Sequence, residues 1–379
     1  MTPFEFLDHD SVKRPIEWGD TDDMLRRVKE RLDEYVTVAR KLDQTEIPTD
    51  KRVSIDHIDS ICNKICLALK SYLRGDLSSA YRSMDDLFRQ TALSDLVTSM
   101  SQIGRPVSGG RAVSFRLRES QSPLLNSGEL FHVPIQRRHL IESNRFSVPG
   151  LPTLYLGGSL LTCWHELGCP SFESTYAAAI WMERDQECRV FSLSATPQAI
   201  NSYLPYAEEY QQEEQASELA GDLLFQWPLL MCCLIPVKHP NSPFKPEYLL
   251  PQGLMSFVTH NKDIDAVAFP SSKVSVQSYD QVGPSTNYAF PISGEVANGY
   301  DPKLKGLFRS TPPVQWTTLA SLDYATAHDR ARHNVEIAPG ISVPHESTAF
   351  GKAEANLVSI AHKIQMGTIS GSGRIVSAS

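Results

Sequence analysis

The chain has 379 residues, of which 41% are hydrophobic and 21% charged, and its net charge is −8. This composition is typical of a folded globular protein with enough chain for two or three domains. The acidic balance and the lack of a long basic run argue against direct nucleic-acid binding, which requires clustered lysine and arginine side chains.

The cysteine content and the hydropathy pattern indicate a compartment. The first residues, MTPFEFLDHD, lack the basic and apolar segments of a signal peptide, and no stretch has the roughly 18 apolar residues of a membrane span. Seven cysteines, an odd number, suit a reducing environment. Cys62 and Cys66 lack a second pair at ligand spacing, so we interpret them as buried core residues. We expect a cytoplasmic protein without membrane contact.

Residues 1–100 have the apolar periodicity of helices. The first long apolar stripe begins after a cap at Asp20 or Thr21. A second helix is expected to start at the cap residue Ser54 and to stop at Gly75. A third follows it along the chain. We therefore predict an N-terminal helical layer.

The pattern changes after the glycine- and serine-rich stretch SQIGRPVSGGR. The segments AVSFRLRE, TLYLG, ECRVFSLSA and DAVAFPSS read as strands, and a helix opens after the Gly157–Gly158 turn. The segment 206–222 reads as an acidic, solvated helix. These elements predict a mixed α+β domain over residues 110–295. Residues 296–379 form a C-terminal extension of weak periodicity and unknown role.

Short motifs exclude several chemistries. In WHELGC the residue four positions after His165 is Cys169, so the segment lacks the second histidine of a zinc protease motif. GGSLL lacks the lysine of a phosphate-binding P-loop, and no Gly-x-Ser-x-Gly nucleophile motif is present. We expect neither a bound metal nor a resident cofactor.

A set of polar residues around the predicted strands carries the stronger signal. Its members are Arg116, Arg118, Arg145, Tyr155, Glu166 and Ser271. Arginines bind phosphate oxygens through paired donors, a tyrosine ring stacks on a flat heterocycle, and a carboxylate stabilises a sugar cation. These residue types suit a dinucleotide site. Structural ion pairs around a packed tyrosine would explain them equally well.

Five segments, taken in their order along the chain, resemble the RES domain family: FRLRES, NRFSVPGLPTLYLGGSLLTCWHEL, EYLLPQ, DAVAFPSSKV and NYAFP. The arginine, glutamate and serine that name the family match Arg116, Glu166 and Ser271. Its pattern also contains an arginine before an aromatic residue, here Arg145, and a tyrosine in an LYL strand, here Tyr155. The resemblance implies an ADP-ribosyltransferase-like mixed β core. Family members are toxins of toxin–antitoxin pairs that cleave NAD by hydrolysis or phosphorolysis.

On this resemblance NAD is a substrate and not a cofactor. The residues expected to bind it are Arg116, Arg118, Arg145, Tyr155 and Ser271. Those expected to be catalytic are Glu166, Arg116 and Tyr155. The arginines would hold the pyrophosphate, with Arg118 as a helper, and the tyrosine would pack on the nicotinamide or its ribose. Glu166 would bond the ribose hydroxyls and stabilise positive charge as the nicotinamide–ribose bond lengthens.

Three alternatives stay open at this stage. The chain could transfer ADP-ribose to a protein or nucleic acid, or bind a nucleotide without turning it over. It differs from the compact toxins by its helical N-terminal region, by a long insertion between Glu166 and Ser271, and by its C-terminal extension. These additions raise the alternative of a regulated effector, for example in phage defence. An antitoxin, a regulatory protein and self-association are the partners left open.

Overall fold

The structure is a computed structural model. It describes residues 1–13, 16–19, 21–49, 52–90, 97–99, 113–183, 186–193, 213–271, 273, 276–277, 285–293, 295–322, 334–338, 341–369 and 373–375. The predicted glycine- and serine-rich break at 101–111 lies outside the described residues, and so do residues 206–212 of the predicted acidic helix.

Helices occupy the N-terminal part of the chain, separate the strands, and close the C-terminal part. They are α1 (Pro3–Asp8), α2 (Asp10–Lys13), α3 (Thr21–Ala39), α4 (Ile55–Leu73), α5 (Leu77–Gln90), α6 (Leu160–Glu166), α7 (Glu213–Cys233), α8 (Leu249–His260), α9 (Pro302–Leu307), α10 (Trp316–Ser321) and α11 (Ala349–Gln365). The three predicted N-terminal helices are confirmed as α3, α4 and α5. Ser54 stands at the N-cap of α4, and Gly75, with φ +81°, follows its end.

The strands form one large sheet and one small one. They are β1 (Val97–Ser99), β2 (Val113–Glu119), β3 (Thr153–Gly157), β4 (Thr175–Met182), β5 (Arg189–Ser192), β6 (Ala266–Pro270), β7 (Val276–Gln277), β8 (Thr286–Pro291), β9 (Phe308–Ser310), β10 (Val314–Gln315), β11 (Asn334–Ala338) and β12 (Ile341–Pro344). Among the described residues, the large sheet has the order β1-β5-β6-β8-β3-β2-β4-β10, and β9 also pairs with β4. β5 and β6 run parallel, whereas β2, β3, β4 and β8 pair antiparallel. The mixed α+β class is confirmed.

One apolar core joins the N-terminal helices to the large sheet. Side chains of α1, α3, α4 and α5 pack with those of α7 and α8, and with Phe191, Val267 and Ala289. These last three residues are register neighbours on β5, β6 and β8, so they present one continuous face to the helices. The Tyr35 hydroxyl adds a buried hydrogen bond of 2.8 Å to the Leu224 backbone oxygen. The predicted helical layer therefore packs directly on the sheet.

The C-terminal part of the chain contributes to the same sheet. β9 and β10 pair with β4, and α10 and α11 share a second core with α6, β2 and β4. Phe115, Leu160 and Leu357 are buried within this core. The domain limits predicted from the sequence stay predictions.

Helix α7 is longer and more apolar than the sequence predicts. The prediction of an acidic helix ended at residue 222, but the helix continues through buried residues to Cys233 and contains Pro228. Among the described residues, no helix is long and apolar enough to cross a bilayer.

The two cysteines at helical spacing belong to α4. Cys62 is buried in the core, as expected, and Cys66 is half-buried against it. Burial, as the largest effect, raises the pKa of the Cys66 thiol to about 11. Burial likewise raises the pKa of the Cys62 thiol far above its ordinary value. Both thiols stay protonated at neutral pH.

His132 joins the loop after β2 to the start of α9. The Asp301 backbone N–H donates to its Nε2 at 2.9 Å, so the ring proton is on Nδ1, which lies 2.9 Å from the Val133 backbone oxygen. The ring is 1% exposed, and burial lowers its pKa from 6.5 to about 4. The folded protein therefore holds His132 neutral.

This lowered pKa predicts a loss of stability in acid. Above pH 6.5 the ring is neutral in both states and its full contribution is present. As the pH falls towards 4, the unfolded chain gains a proton that the folded chain does not bind. The unfolding free energy should fall by about 3 kcal/mol through this residue. Urea unfolding of wild type and His132→Asn across this range measures the effect as a difference. Equal pH slopes in the two proteins would contradict it.

Candidate functional site

A strand, a tight turn and a short helix place Glu166. β3 lies between β2 and β8 in the sheet, and Ser159 caps α6 by accepting the Thr162 N–H at 3.1 Å. The turn is compact: a Cβ on Gly157 would lie 2.5 Å from the Cys163 Sγ, closer than any side chain tolerates. A side chain at position 157 would therefore force Cys163 to shift where β3 meets the helix, and α6 carries Glu166 as its last residue.

The Glu166 carboxylate contacts residues from the ends of two sheet strands. The Ser271 hydroxyl donates to Oε1 at 2.7 Å, and Asn287 Nδ2 donates to the same oxygen at 2.9 Å. Ser271 follows β6, and Asn287 belongs to β8. The Lys273 ammonium lies 3.7 Å from Oε2, and the Glu166 side chain is 34% exposed. The structure thus brings Glu166 and Ser271 together at a place that solvent reaches.

Lys273 also closes the end of α6. Its ammonium donates to the backbone oxygens of His165 and Glu166 at 3.3 and 3.1 Å. These are carbonyls of the last helical turn, which have no partner inside the helix. A cation at a helix C-terminus also interacts favourably with the helix dipole. Lys273 therefore holds both the carboxylate and the backbone that carries it.

Arg145 binds the C-terminal end of α7 and the ring of Tyr248. Its Nη1 donates to the backbone oxygens of Cys233 and Ile235, each at 2.8 Å, so it caps the C-terminal end of α7. Its guanidinium carbon lies 5.3 Å from the centre of the Tyr248 ring. Burial is the largest effect on Arg145 and lowers its pKa, while the charge of Glu166 is among those that raise it. Arg145 and Glu166 are therefore close enough to interact electrostatically.

Two tyrosines share this electrostatic environment. Tyr155 is half-buried in β3, and burial raises its pKa well above the ordinary value. Its hydroxyl is buried without a hydrogen bond of standard geometry, although the Ser147 side chain opposes part of the rise. Burial also raises the pKa of Tyr248. After burial, the charge of Glu166 adds a smaller part to the rise for both phenols.

Arg116 bridges two strands beside this cluster. β2 and β3 pair at one position, where Phe115 lies opposite Gly157. Past this pair, Arg116 Nη1 donates to the Tyr155 backbone oxygen at 2.5 Å. Burial lowers the pKa of Arg116 to about 10, and its Nε is buried without a partner. The guanidinium thus ties together the strands that carry the predicted arginine and tyrosine.

The described hydrogen bond of Arg118 is made to the loop after β2. The Arg118 side chain is exposed and donates from Nη1 to the Glu129 backbone oxygen at 2.6 Å. Burial raises the pKa of Tyr300, and the charge of Arg118 opposes part of this rise. The structure therefore places Arg118 with the loop after β2, and its helper role stays a prediction.

Three residues of this cluster were not predicted from the sequence: Tyr248, Lys273 and Asn287. All three lie in segments that carry the RES resemblance, EYLLPQ, DAVAFPSSKV and NYAFP. The signal was therefore present in the sequence. Only the fold shows that these side chains meet Glu166 or Arg145. Among the described residues, no group of three or more histidine, cysteine, aspartate or glutamate side chains is arranged to hold a metal.

The fold and the cluster define a mixed α+β protein with a partly exposed glutamate beside arginine and tyrosine. The chain is similar to a protein named "Putative toxin YopC" from Bacillus subtilis (strain 168). The two are 29% identical over 319 residues, which cover 82% of this chain and 70% of that protein. No family model and no solved structure matches the chain. Because the aligned part is longer than the predicted mixed α+β region, the similarity extends into the added segments.

The close approach of Gly157 to Cys163 predicts a defined cost for a side chain at this turn. Gly157→Ala should lower the unfolding free energy by about 1–3 kcal/mol, because a new methyl group overlaps the sulfur. Urea denaturation measures this value. The double variant Gly157→Ala with Cys163→Ala should regain part of it relative to Cys163→Ala alone. A Gly157→Ala protein as stable as wild type would contradict the packing described.

Proposed function

We propose that the protein is an NAD-consuming enzyme that cleaves the nicotinamide–ribose bond, with an ADP-ribosyltransferase-like core, and acts as a toxin-like effector. The observation that carries the proposal is the setting of Glu166. This carboxylate is partly exposed, is hydrogen-bonded by Ser271 and Asn287, and interacts electrostatically with Arg145. A carboxylate whose charge acts on an arginine and two tyrosines suits a sugar cation joined to a pyrophosphate.

The hydrogen-bond pattern leaves one carboxylate oxygen for the substrate. Both short bonds go to Oε1, whereas Oε2 faces Lys273 at the longer distance of 3.7 Å. A ribose hydroxyl can displace this ion pair and donate to Oε2. The fixed Oε1 then keeps the negative charge in place while positive charge develops on the ribose.

The reaction balances without a further reactant besides water or phosphate. The bond between the ribose carbon and the nicotinamide nitrogen breaks, and its electron pair stays on the nitrogen, which leaves as neutral nicotinamide. An oxygen of water or of inorganic phosphate bonds to the ribose carbon and loses its proton to solvent. Glu166 stabilises the cationic transition state between these two events.

The arginines suit the phosphate end of the substrate. Nη1 of Arg145 is engaged by two carbonyls, so a pyrophosphate would bond its other nitrogens while Tyr248 supports the guanidinium. Arg116, whose Nη1 is bonded to the Tyr155 backbone, would contribute in the same way. The Tyr155 ring would pack on the nicotinamide or its ribose, and Ser271 would orient that end through Glu166.

Similarity to a protein named as a toxin supports the toxin-like role. It is also compatible with an antitoxin or regulatory partner. Transfer of ADP-ribose to a macromolecule uses the same cation and is the alternative product. Incubation with labelled NAD and cell lysate separates the two, because transfer labels a macromolecule whereas cleavage by water or phosphate labels only small products.

Removal of the Glu166 charge should abolish most of the activity. We expect Glu166→Gln to lower the rate of NAD consumption by about 10²–10³-fold, because the amide does not stabilise a cation. The measurement is nicotinamide release from NAD by pure protein, with and without phosphate, and identification of the products by mass. The control is Glu173→Gln, which removes a negative charge from an exposed glutamate in the segment between α6 and β4. This variant should retain wild-type activity. Wild-type turnover by the Glu166 variant would refute the assigned role.

Arg145→Lys should weaken NAD binding. Lysine keeps the positive charge but lacks the planar guanidinium, whose separate nitrogens can bond the α7 carbonyls and a phosphate at the same time. The dissociation constant for NAD should therefore rise about tenfold. Calorimetry with NAD, in a background of Glu166→Gln to prevent turnover, measures it. Arg189→Lys is the matched control, because Arg189 is 46% exposed and pairs with Asp263 at 3.0 Å. Unchanged affinity in the Arg145 variant, with an unchanged melting temperature, would argue against the phosphate contact.

A further inference from the structure

The C-terminal helix reaches the start of the helix that carries Glu166. Glu354 of α11 is 3% exposed, and its Oε2 accepts the backbone N–H of Leu160 at 3.0 Å. Leu160 is the first residue of α6, and its N–H is one of the donors that a helix leaves without an internal partner. A negative charge at this end of a helix also interacts favourably with the helix dipole.

A second buried group faces the same carboxylate oxygen. His345 is 0% exposed, and its Nε2 lies 3.5 Å from Oε2 of Glu354. The start of α11 packs tightly on the His345 backbone, because a Cβ on Gly351 would lie 2.1 Å from the His345 oxygen. A buried carboxylate is costly unless its oxygens are bonded. The position of Glu354 is therefore closely defined by contacts from two sides.

Helix α6 is held at its start, its middle and its end. Glu354 bonds its first N–H, the Cys163 thiol donates to the Phe115 backbone oxygen at 3.3 Å, and Lys273 bonds its last carbonyls. A helix of this length spans only about 10 Å. A shift at its first residue is therefore passed on to Glu166 at its last.

We propose that Glu354 is a positioning residue for Glu166: its carboxylate fixes the start of α6 and thereby the place of the Glu166 carboxylate against Ser271 and Asn287. The proposal rests on the proposed function for its effect on activity. It assigns a role to the C-terminal extension, which the sequence left without one. Glu354 does not touch the substrate and acts only through α6.

Two variants of Glu354 separate the effect of its hydrogen-bond acceptor from the effect of its charge. Glu354→Leu removes the acceptor at similar volume and should lower kcat for NAD cleavage by about 10–100-fold with KM nearly unchanged, because misplacement of a catalytic group by about 1 Å costs this much. Glu354→Gln keeps an oxygen that accepts the Leu160 N–H and should restore most of kcat. Equal losses in both variants, or no loss in Glu354→Leu, would overturn the proposal.

Hydrogen exchange tests the same contact without any substrate. In Glu354→Leu the amides of residues 160–166 should exchange faster than in wild type, and in Glu354→Gln they should not. The control is Lys352→Ala, which changes an exposed residue of α11 and should leave both α6 exchange and kcat unchanged. Unchanged α6 exchange in Glu354→Leu would refute the positioning role. If wild type cleaves no NAD while this exchange pattern holds, the proposed function fails and the positioning of α6 stands.

Discussion

The candidate site depends on two hydrogen bonds that converge on one oxygen atom of Glu166. Their donors, Ser271 and Asn287, lie 105 and 121 residues further along the chain. Ser271 directly follows β6 and Asn287 lies in β8; these strands are neighbours in the sheet, so the strand register sets the spacing of the two donors. The carboxylate is held in this position only when the sheet and α6 have docked. Folding of the whole α+β unit is therefore a condition for any chemistry at this glutamate.

Local periodicity was sufficient to predict the N-terminal helices and β2, β3, β5 and β6. Those segments have either one apolar stripe or clear turn residues at their ends. β4 was not predicted, because both of its faces are covered and its sequence, TYAAAIWM, shows no alternation. Helix α11 was also missed. Its buried residues include Glu354, Asn356 and Ser359, so an apolar stripe is weak even though nearly the whole helix is enclosed.

The residue types of the candidate site could be predicted, but the partners of each side chain could not. A guanidinium serves a phosphate or a backbone carbonyl equally well, and the sequence does not distinguish these partners. In the fold, Arg116 and Arg145 each give one nitrogen to backbone oxygens. Both arginines therefore maintain the framework around Glu166, whatever else they bind. Tyr248 and Asn287 required the fold for a related reason, because their neighbours in space are remote in the chain.

The buried cysteines of this chain have a consequence for its chemical reactivity. Burial raises the pKa of Cys163 and of Cys233 to about 12 each, and it raises the pKa of the buried Cys62 thiol in the same direction. Only a thiolate attacks an electrophile at a useful rate. These sulfurs therefore act as small apolar side chains in the folded state, and alkylating reagents or oxidants would reach them only as the interior opens. The rate at which a reagent labels these thiols therefore measures how often the two cores open.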